Sequence, residues 1–262
     1  MRDEETQRRD GSYGRQELGG DRAEVNGRTP PGAMVRFGLP MTADVTILFD
    51  VDNTLLDNDS VQADLSRHLE SEFGPASRDR YWAIFEGLRA ELGYADYLGA
   101  LQRYRLENLD DPQLLQISAF LIDYPFASRL YPGALAAVAH CRRWGPTVIL
   151  SDGDVVFQPR KVQRSGIWDA VEGRVLIYLH KEKMLDAVER RFPSRHYWMV
   201  DDKLRILAAV KRVWGSRVTT VFPRQGHYAL DPAETGAYAP ADVTLAGIGD
   251  LVGRDLRQLA TA

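Results

Sequence analysis

A chain of 262 residues with 44% apolar content can bury a full hydrophobic core, as one domain or as one domain carrying an insertion. Its formal charge of −4 argues against wholesale nucleic-acid binding, which needs a concentrated basic face, and no apolar run approaches the ~20 residues that cross a bilayer. The single cysteine, Cys141, excludes an internal disulfide and any cysteine-rich zinc site, which suits a reducing compartment. MRDEETQRRDGSYGRQELGG at the start lacks the hydrophobic block of a secretory signal, so the expected location is cytoplasmic.

Residues 1 to about 43 are rich in Arg, Glu, Asp and Gly with hardly an aliphatic pair, a composition that predicts a disordered tail. The first strand is expected at 45–49 (VTILF) and runs straight into Asp50 and Asp52, two carboxylates spaced i, i+2. From 58 to about 128 no strand pattern occurs. Instead VQADLSRHLESEF, RDRYWAIFEGLRAELG, YADYLGALQRYRL and DPQLLQISAFL carry helical apolar spacing, predicting an inserted unit of three or four helices. A helix is expected near 132–144, with Pro132 where a helix start tolerates it. Strands at 147–150, 174–179, 197–200, 218–222 and 243–245 then alternate with amphipathic stretches near 155–165, 182–192 and 203–214. This alternation predicts an α/β, Rossmann-like, doubly wound and mainly parallel sheet with helices on both faces. The core would comprise 44–57 and 129–262, and the inserted α-helical cap 58–128.

Ligands of such sheets bind beyond the carboxyl ends of the strands. Polar clusters follow four of the candidate strands: Asp50 with Asp52, Ser151 with Asp152, Lys181, and Asp201 with Asp202. A phosphate monoester demands such a set. Its anionic oxygens repel a carboxylate nucleophile, so positive charge must be supplied, and Mg²⁺ takes hard oxygen ligands. Asp50, Asp201 and Asp202 could hold that ion together with the backbone carbonyl of Asp52, while Lys181 offsets the remaining negative charge. An aspartate could then attack phosphorus and form an acyl phosphate. Asp52, two residues from Asp50, has the reach to protonate the leaving oxygen and later deprotonate water. Ser151 and the backbone amides of Asp152 and Gly153 could hold the phosphoryl oxygens.

ILFDVDNTL resembles the first motif of the haloacid dehalogenase superfamily, whose phosphatases use hhhhDxDxT. TVILSD resembles its second motif, a lysine after the third strand its third, and WMVDD its acidic fourth. All four occur in order, and the resemblance covers about 44–250. It implies Asp50 as nucleophile, Asp52 as general acid and base, Ser151 as phosphate ligand, Lys181 as the neutralising lysine, Asp201 and Asp202 as the metal pair, and dependence on Mg²⁺. The true dehalogenase branch lacks the second aspartate of motif one, so Asp52 favours phosphoryl transfer. The insertion lies where one class of the superfamily carries a helical cap. Asn53 stands where glycine is commoner, in the loop that would also meet the phosphate. Both Lys181 and Lys183 are open as the third-motif lysine; Lys181 lies nearer the strand end.

A lone DxD is usually a solvated pair, a lone serine often a helix cap, and Asp201-Asp202 could cap the helix beyond them. The convergence of four strand ends outweighs those readings. Arg103 in the insertion, and Arg224 and His227 in FPRQGHYAL, are candidates to read the substrate, against the plainer reading of solvated surface residues. The expectation is a phosphatase acting on a small-molecule phosphate ester without nucleic-acid or membrane partners. A phosphomutase of the same fold, or a non-catalytic phosphate-binding regulator, would share these motifs.

Overall fold

Short runs of β-branched and aromatic residues become six parallel strands, as the alternating pattern predicts. The computed structural model describes residues 42–111 and 114–256. The predicted tail lies outside the described residues except for Thr42 and Ala43, and Ala43 already belongs to a strand.

Strand β1 (Ala43–Phe49) is followed by α1 (Asn58–Phe73), α2 (Pro75–Leu92), α3 (Tyr97–Glu107) and α4 (Leu114–Asp123). Caps punctuate this helical run. The Asp57 side chain accepts from the Ser60 amide at 2.9 Å, Pro75 opens α2, and the Asp96 side chain accepts from the Gly99 amide at 2.7 Å. The chain then runs through α5 (Ala134–Cys141), β2 (Thr147–Asp152), α6 (Phe157–Arg164), α7 (Ile167–Ala170), β3 (Val175–Tyr178), α8 (Leu185–Arg191), β4 (Ser194–Val200), α9 (Leu204–Trp214), β5 (Val218–Pro223), α10 (Gly226–Leu230), α11 (Pro232–Gly236) and β6 (Val243–Leu245). Relative to the predicted spans, β4 begins three residues earlier, and the segment predicted as 182–192 opens as a 3₁₀ turn, Lys181–Lys183. Two short helices, α10 and α11, occupy a stretch for which the sequence pattern predicts no element.

The strand order is β3-β2-β1-β4-β5-β6, all pairs parallel. Side chains alternate between the two faces, and both faces are buried, which is why the strands read as continuous apolar runs. Ile47 and Phe49 join one core with Ile149, Val138, Val162, Leu65 and Tyr81; Leu48 joins the other with Leu150, Val188, Leu207 and Trp214. Helices therefore cover both sides, α5 to α7 and the inserted helices on one and α8 and α9 on the other. The chain works outward from β1 to β3 and then resumes beside β1 at β4, so a crevice opens where β1 and β4 end together. Among the described residues no helix is long and apolar enough to cross a membrane.

Candidate active site

Asp50 and Asp201 leave the ends of β1 and β4, the strands that flank the crevice. Their amides still continue the ladder, Asp50 donating to the Val200 carbonyl at 2.9 Å and Asp201 to that of Val221 at 3.1 Å. The backbone thus fixes where each carboxylate starts. Lys181, in the 3₁₀ turn after β3, is 2% exposed and reaches Asp50 Oδ1 at 2.6 Å and Asp201 Oδ2 at 2.7 Å. Ser151 on β2 donates to Asp50 Oδ1 at 3.2 Å. Four strand ends far apart in sequence therefore meet around one carboxylate, and Lys181, not Lys183, is the lysine among them.

Asp50, Asp201 and Asp202 each bring a carboxylate oxygen to within 4.8 Å of the others. Asp202 is fully buried, and neither of its side-chain oxygens has a hydrogen-bond donor among the described residues. A buried carboxylate without donors is costly. Burial pushes the Asp202 carboxyl well above the usual carboxylate range and pushes that of Asp201 up to about 6, an effect that Lys181 partly offsets at Asp201. Burial alone would lower Lys181, but Asp201 and Asp50 outweigh it and hold the ammonium above its ordinary value. Lys203, beyond Asp202, behaves similarly: burial opposes its charge, Asp202 and Asp50 favour it, and the net shift is up to about 12. Three hard oxygens converging, one carboxylate of them unpartnered, fit a divalent cation such as Mg²⁺.

Asp52 stands apart from this cluster. Its side chain is 25% exposed and its Oδ1 takes a hydrogen bond from Lys161 Nζ at 2.7 Å. It faces a cleft of about 360 Å³ between the sheet edge and the inserted helices, lined also by Arg89, Tyr97, Gln158, Lys203 and Tyr228. Arg89 of α2 donates to the Tyr228 hydroxyl of α10, so the inserted helices bridge the cleft to the core.

The loop carrying Asp52 is braced from several directions. Asn53 turns it with φ +60°, a left-handed conformation that asparagine tolerates better than most side chains. The Asn53 amide oxygen accepts from the Asn58 and Asp59 amides at the start of α1, and its backbone N–H donates to the Leu56 carbonyl at 2.7 Å. Thr54 Oγ1 accepts from the Asp202 amide at 3.0 Å. Gln225, buried rather than facing the cleft mouth, donates to the carbonyls of Thr54 at 2.7 Å and Asn53 at 3.2 Å. Gly226 follows with φ +74°, and a Cβ there would stand 2.5 Å from Asn53 Cβ.

Other expected positions are placed as follows. Gly153 donates its N–H to the Tyr178 carbonyl at 2.9 Å, so that amide is committed within the fold. A Cβ on Gly153 would lie 2.6 Å from that of Gln158, whose amide nitrogen donates to Ser151 Oγ at 3.0 Å; a glycine is what lets Gln158 in. Asp152 accepts from the Lys181 amide at 2.7 Å, and burial raises its carboxyl. His227 lines the cleft and pairs with Asp59 of α1, its Nδ1 lying 2.6 Å from Oδ1. Arg103 pairs with Glu91 on the outside of the inserted helices and Arg224 is exposed beyond β5; neither is among the cleft-lining residues. The geometry also brings in Lys161, Gln158, Asn58 and Lys203, which the sequence reading did not single out.

The model of the haloacid dehalogenase-like hydrolase family matches residues 45–213. A solved protein from Burkholderia xenovorans, assigned to the haloacid dehalogenase-like hydrolases, is 69% identical, with 81% of this chain and 99% of that one covered and a TM-score of 0.78. The Bacillus subtilis HAD-hydrolase YfnB, solved with magnesium, is 18% identical over 80% of this chain and 97% of its own, with a TM-score of 0.54. The L-2-haloacid dehalogenase of Xanthobacter autotrophicus is 20% identical over the same shares, with a TM-score of 0.53; at such identities the likeness is one of fold. No curated protein matches the chain. A family match over more than half the chain, on the very strand ends that gather the carboxylates, places this protein in the haloacid dehalogenase-like hydrolase family.

Proposed function

We propose that the protein is a Mg²⁺-dependent phosphatase that hydrolyses a small-molecule phosphate monoester through an aspartyl-phosphate on Asp50. The observation that carries this reading is the division of labour between the two motif-one carboxylates. Asp50 is buried within the cluster at 4% side-chain exposure and paired with Lys181, whereas Asp52 lines the cleft at 25% and is paired with Lys161. A nucleophile and a separate proton carrier are what ester cleavage at phosphorus needs.

Asp50, Asp201 and Asp202 would hold the cation with the Asp52 carbonyl, and the bound Mg²⁺ would neutralise the phosphoryl oxygens as a Lewis acid. Lys181 and Ser151 both donate to Asp50 Oδ1 and so orient the carboxylate for in-line attack on phosphorus. As the ester P–O bond breaks, Asp52 gives its proton to the departing oxygen; it then takes one from the water that attacks the aspartyl-phosphate, which releases phosphate and restores Asp50. Ser151 would also donate to the phosphoryl oxygens, and Lys181 would balance their charge. The inserted helices cover the cleft and exclude bulk water while the ester is bound.

The test is release of inorganic phosphate from 4-nitrophenyl phosphate and a panel of alkyl phosphates. Release is expected with Mg²⁺, is stopped by a chelator, and falls by at least about 10⁴-fold in Asp50→Asn, as when a member of a catalytic unit is removed. No release from any ester, or halide release from a 2-haloacid without phosphatase activity, would overturn it.

A further inference from the structure

Lys161 lies on α6, in neither the carboxylate cluster nor any motif singled out from the sequence, and it is completely buried. Burying a lysine is expensive unless its nitrogen is fully engaged. Its Nζ donates to Asp52 Oδ1 at 2.7 Å and to Asn58 Oδ1 at 2.9 Å, and lies over the rings of Phe157 at 5.1 Å and Tyr97 at 5.9 Å. Asn58 opens α1, and its amide nitrogen donates to the Tyr97 hydroxyl of α3 at 3.2 Å, which also accepts from Gln62 at 2.8 Å. One lysine thus joins a core helix, the loop of Asp52 and two of the inserted helices.

Resting on the phosphatase reading, we propose that Lys161 is the positioning residue for Asp52. Its hydrogen bond holds the Asp52 carboxylate at the orientation from which a proton reaches the leaving oxygen, and the Asn58–Tyr97 link sets that orientation by the seating of the inserted helices. Three features support a positioning role over a packing one. The lysine spends one of its donors on a carboxylate that water could reach. Asp52 has no comparable restraint on its side chain from Asp50, Ser151 or Lys181 in the cluster next door. The same helix face also supplies Gln158, which donates to Ser151 Oγ at 3.0 Å, so α6 steadies groups belonging to both motif aspartates.

Proton delivery matters most when the leaving group is a poor one. An alkoxide must be protonated as it departs, whereas 4-nitrophenolate departs unaided. General acid catalysis contributes about 10²–10⁴-fold. Lys161→Met is therefore expected to lower kcat/KM, which reports transfer to Asp50 and not the aspartyl-phosphate hydrolysis that all esters share, about 100-fold on the best alkyl phosphate of a panel, against about tenfold or less on 4-nitrophenyl phosphate. Lys161→Arg, which keeps a cation and donors, is expected to recover the alkyl-to-aryl ratio. Melting temperatures are read for each variant, and Lys161→Gln replaces Lys161→Met if the latter does not fold, with the same direction expected. With an active wild type, unchanged kinetics or equal losses of kcat/KM on both leaving groups overturn the positioning role and leave the phosphatase reading standing. A wild type inactive on every ester overturns both.

Discussion

The strand-end cluster and the inserted helices are both rich in charge, yet they handle it in opposite ways. In the cluster, Asp50, Lys181, Asp201 and Asp202 have almost no exposed surface, and Lys181 is the only cation within hydrogen-bond reach of Asp50 among the described residues. On the inserted helices, the pairs Arg80–Glu107 and Arg103–Glu91 stand in water with both partners about half exposed. Those helices are held to the core by rings: Phe85 lies 4.8 Å from Tyr97, and Tyr97 lies 5.0 Å from Phe157 of α6. The lesson is one of replaceable and irreplaceable partners. Water can take over from a lost surface arginine, whereas a buried carboxylate that loses its lysine has nothing to turn to.

The sharpest way to break that comparison is Lys181→Met. Removing one partner of a buried pair costs about 3–5 kcal/mol, and here two carboxylates, Asp50 and Asp201, lose the same partner, so chemical denaturation should show a fall of that order. Activity should vanish with it. On the proposed reading Mg²⁺ binds the folded cluster and not the unfolded chain, so added Mg²⁺ should recover part of the lost stability, and more of it than in the wild type. A variant as stable as the wild type in chelator would mean the cluster is not balanced by Lys181.

Second in size is a dependence on pH. Burial holds the Asp201 carboxyl at about 6 and raises that of Asp202 as well, both above the unfolded value of 3.8. Between 3.8 and about 6 the folded cation-free protein therefore binds protons that the unfolded chain has released. Stability from these groups is complete below the unfolded value and is lost as pH rises through the folded one. Asp59, Asp64 and Asp242, whose carboxyls are lowered by partners that outweigh burial, act in the opposite sense below that window, and His196, lowered by burial, opposes the two carboxyls within it. In chelator the melting temperature should fall as pH rises from about 4.5 to 7, and the gain from Mg²⁺ should grow over the same span. Equal gains at both ends would show that the cluster is already ionised in acid.

What the amino-acid pattern made legible follows from how local each signal is. A strand is a run of apolar residues, and a ligand group at its end is its next neighbour, so Asp50, Ser151, Lys181 and Asp201 could be read along the chain. Partners brought in by packing could not. Lys161 meets Asp52 across 109 positions and Gln225 meets Thr54 across 171, distances at which only the folded arrangement decides. One signal was nonetheless present. The chain has only five lysines, at 161, 181, 183, 203 and 211, in a sequence that otherwise uses arginine. Three of them, Lys161, Lys181 and Lys203, surround the site, where a compact ammonium suits a small buried space better than a planar guanidinium. Short helices α10 and α11 were missed because five residues are too few to show an apolar period.

The smallest expected effect sharpens the comparison from the other side. Arg103 was a plausible substrate reader from its place in the inserted helices, but its guanidinium pairs with Glu91 at 3.0 Å, with both side chains about half exposed. An exposed pair of this kind contributes less than about 1 kcal/mol. Arg103→Ala should therefore leave KM and kcat within about twofold of wild type and shift stability by less than that same amount, since water replaces both partners. A KM that rose severalfold would require the inserted helices to swing Arg103 into the cleft when substrate binds. The division between an irreplaceable cluster and a tolerant outer layer would then fail on the layer's side, because a surface charge would be acting on the substrate.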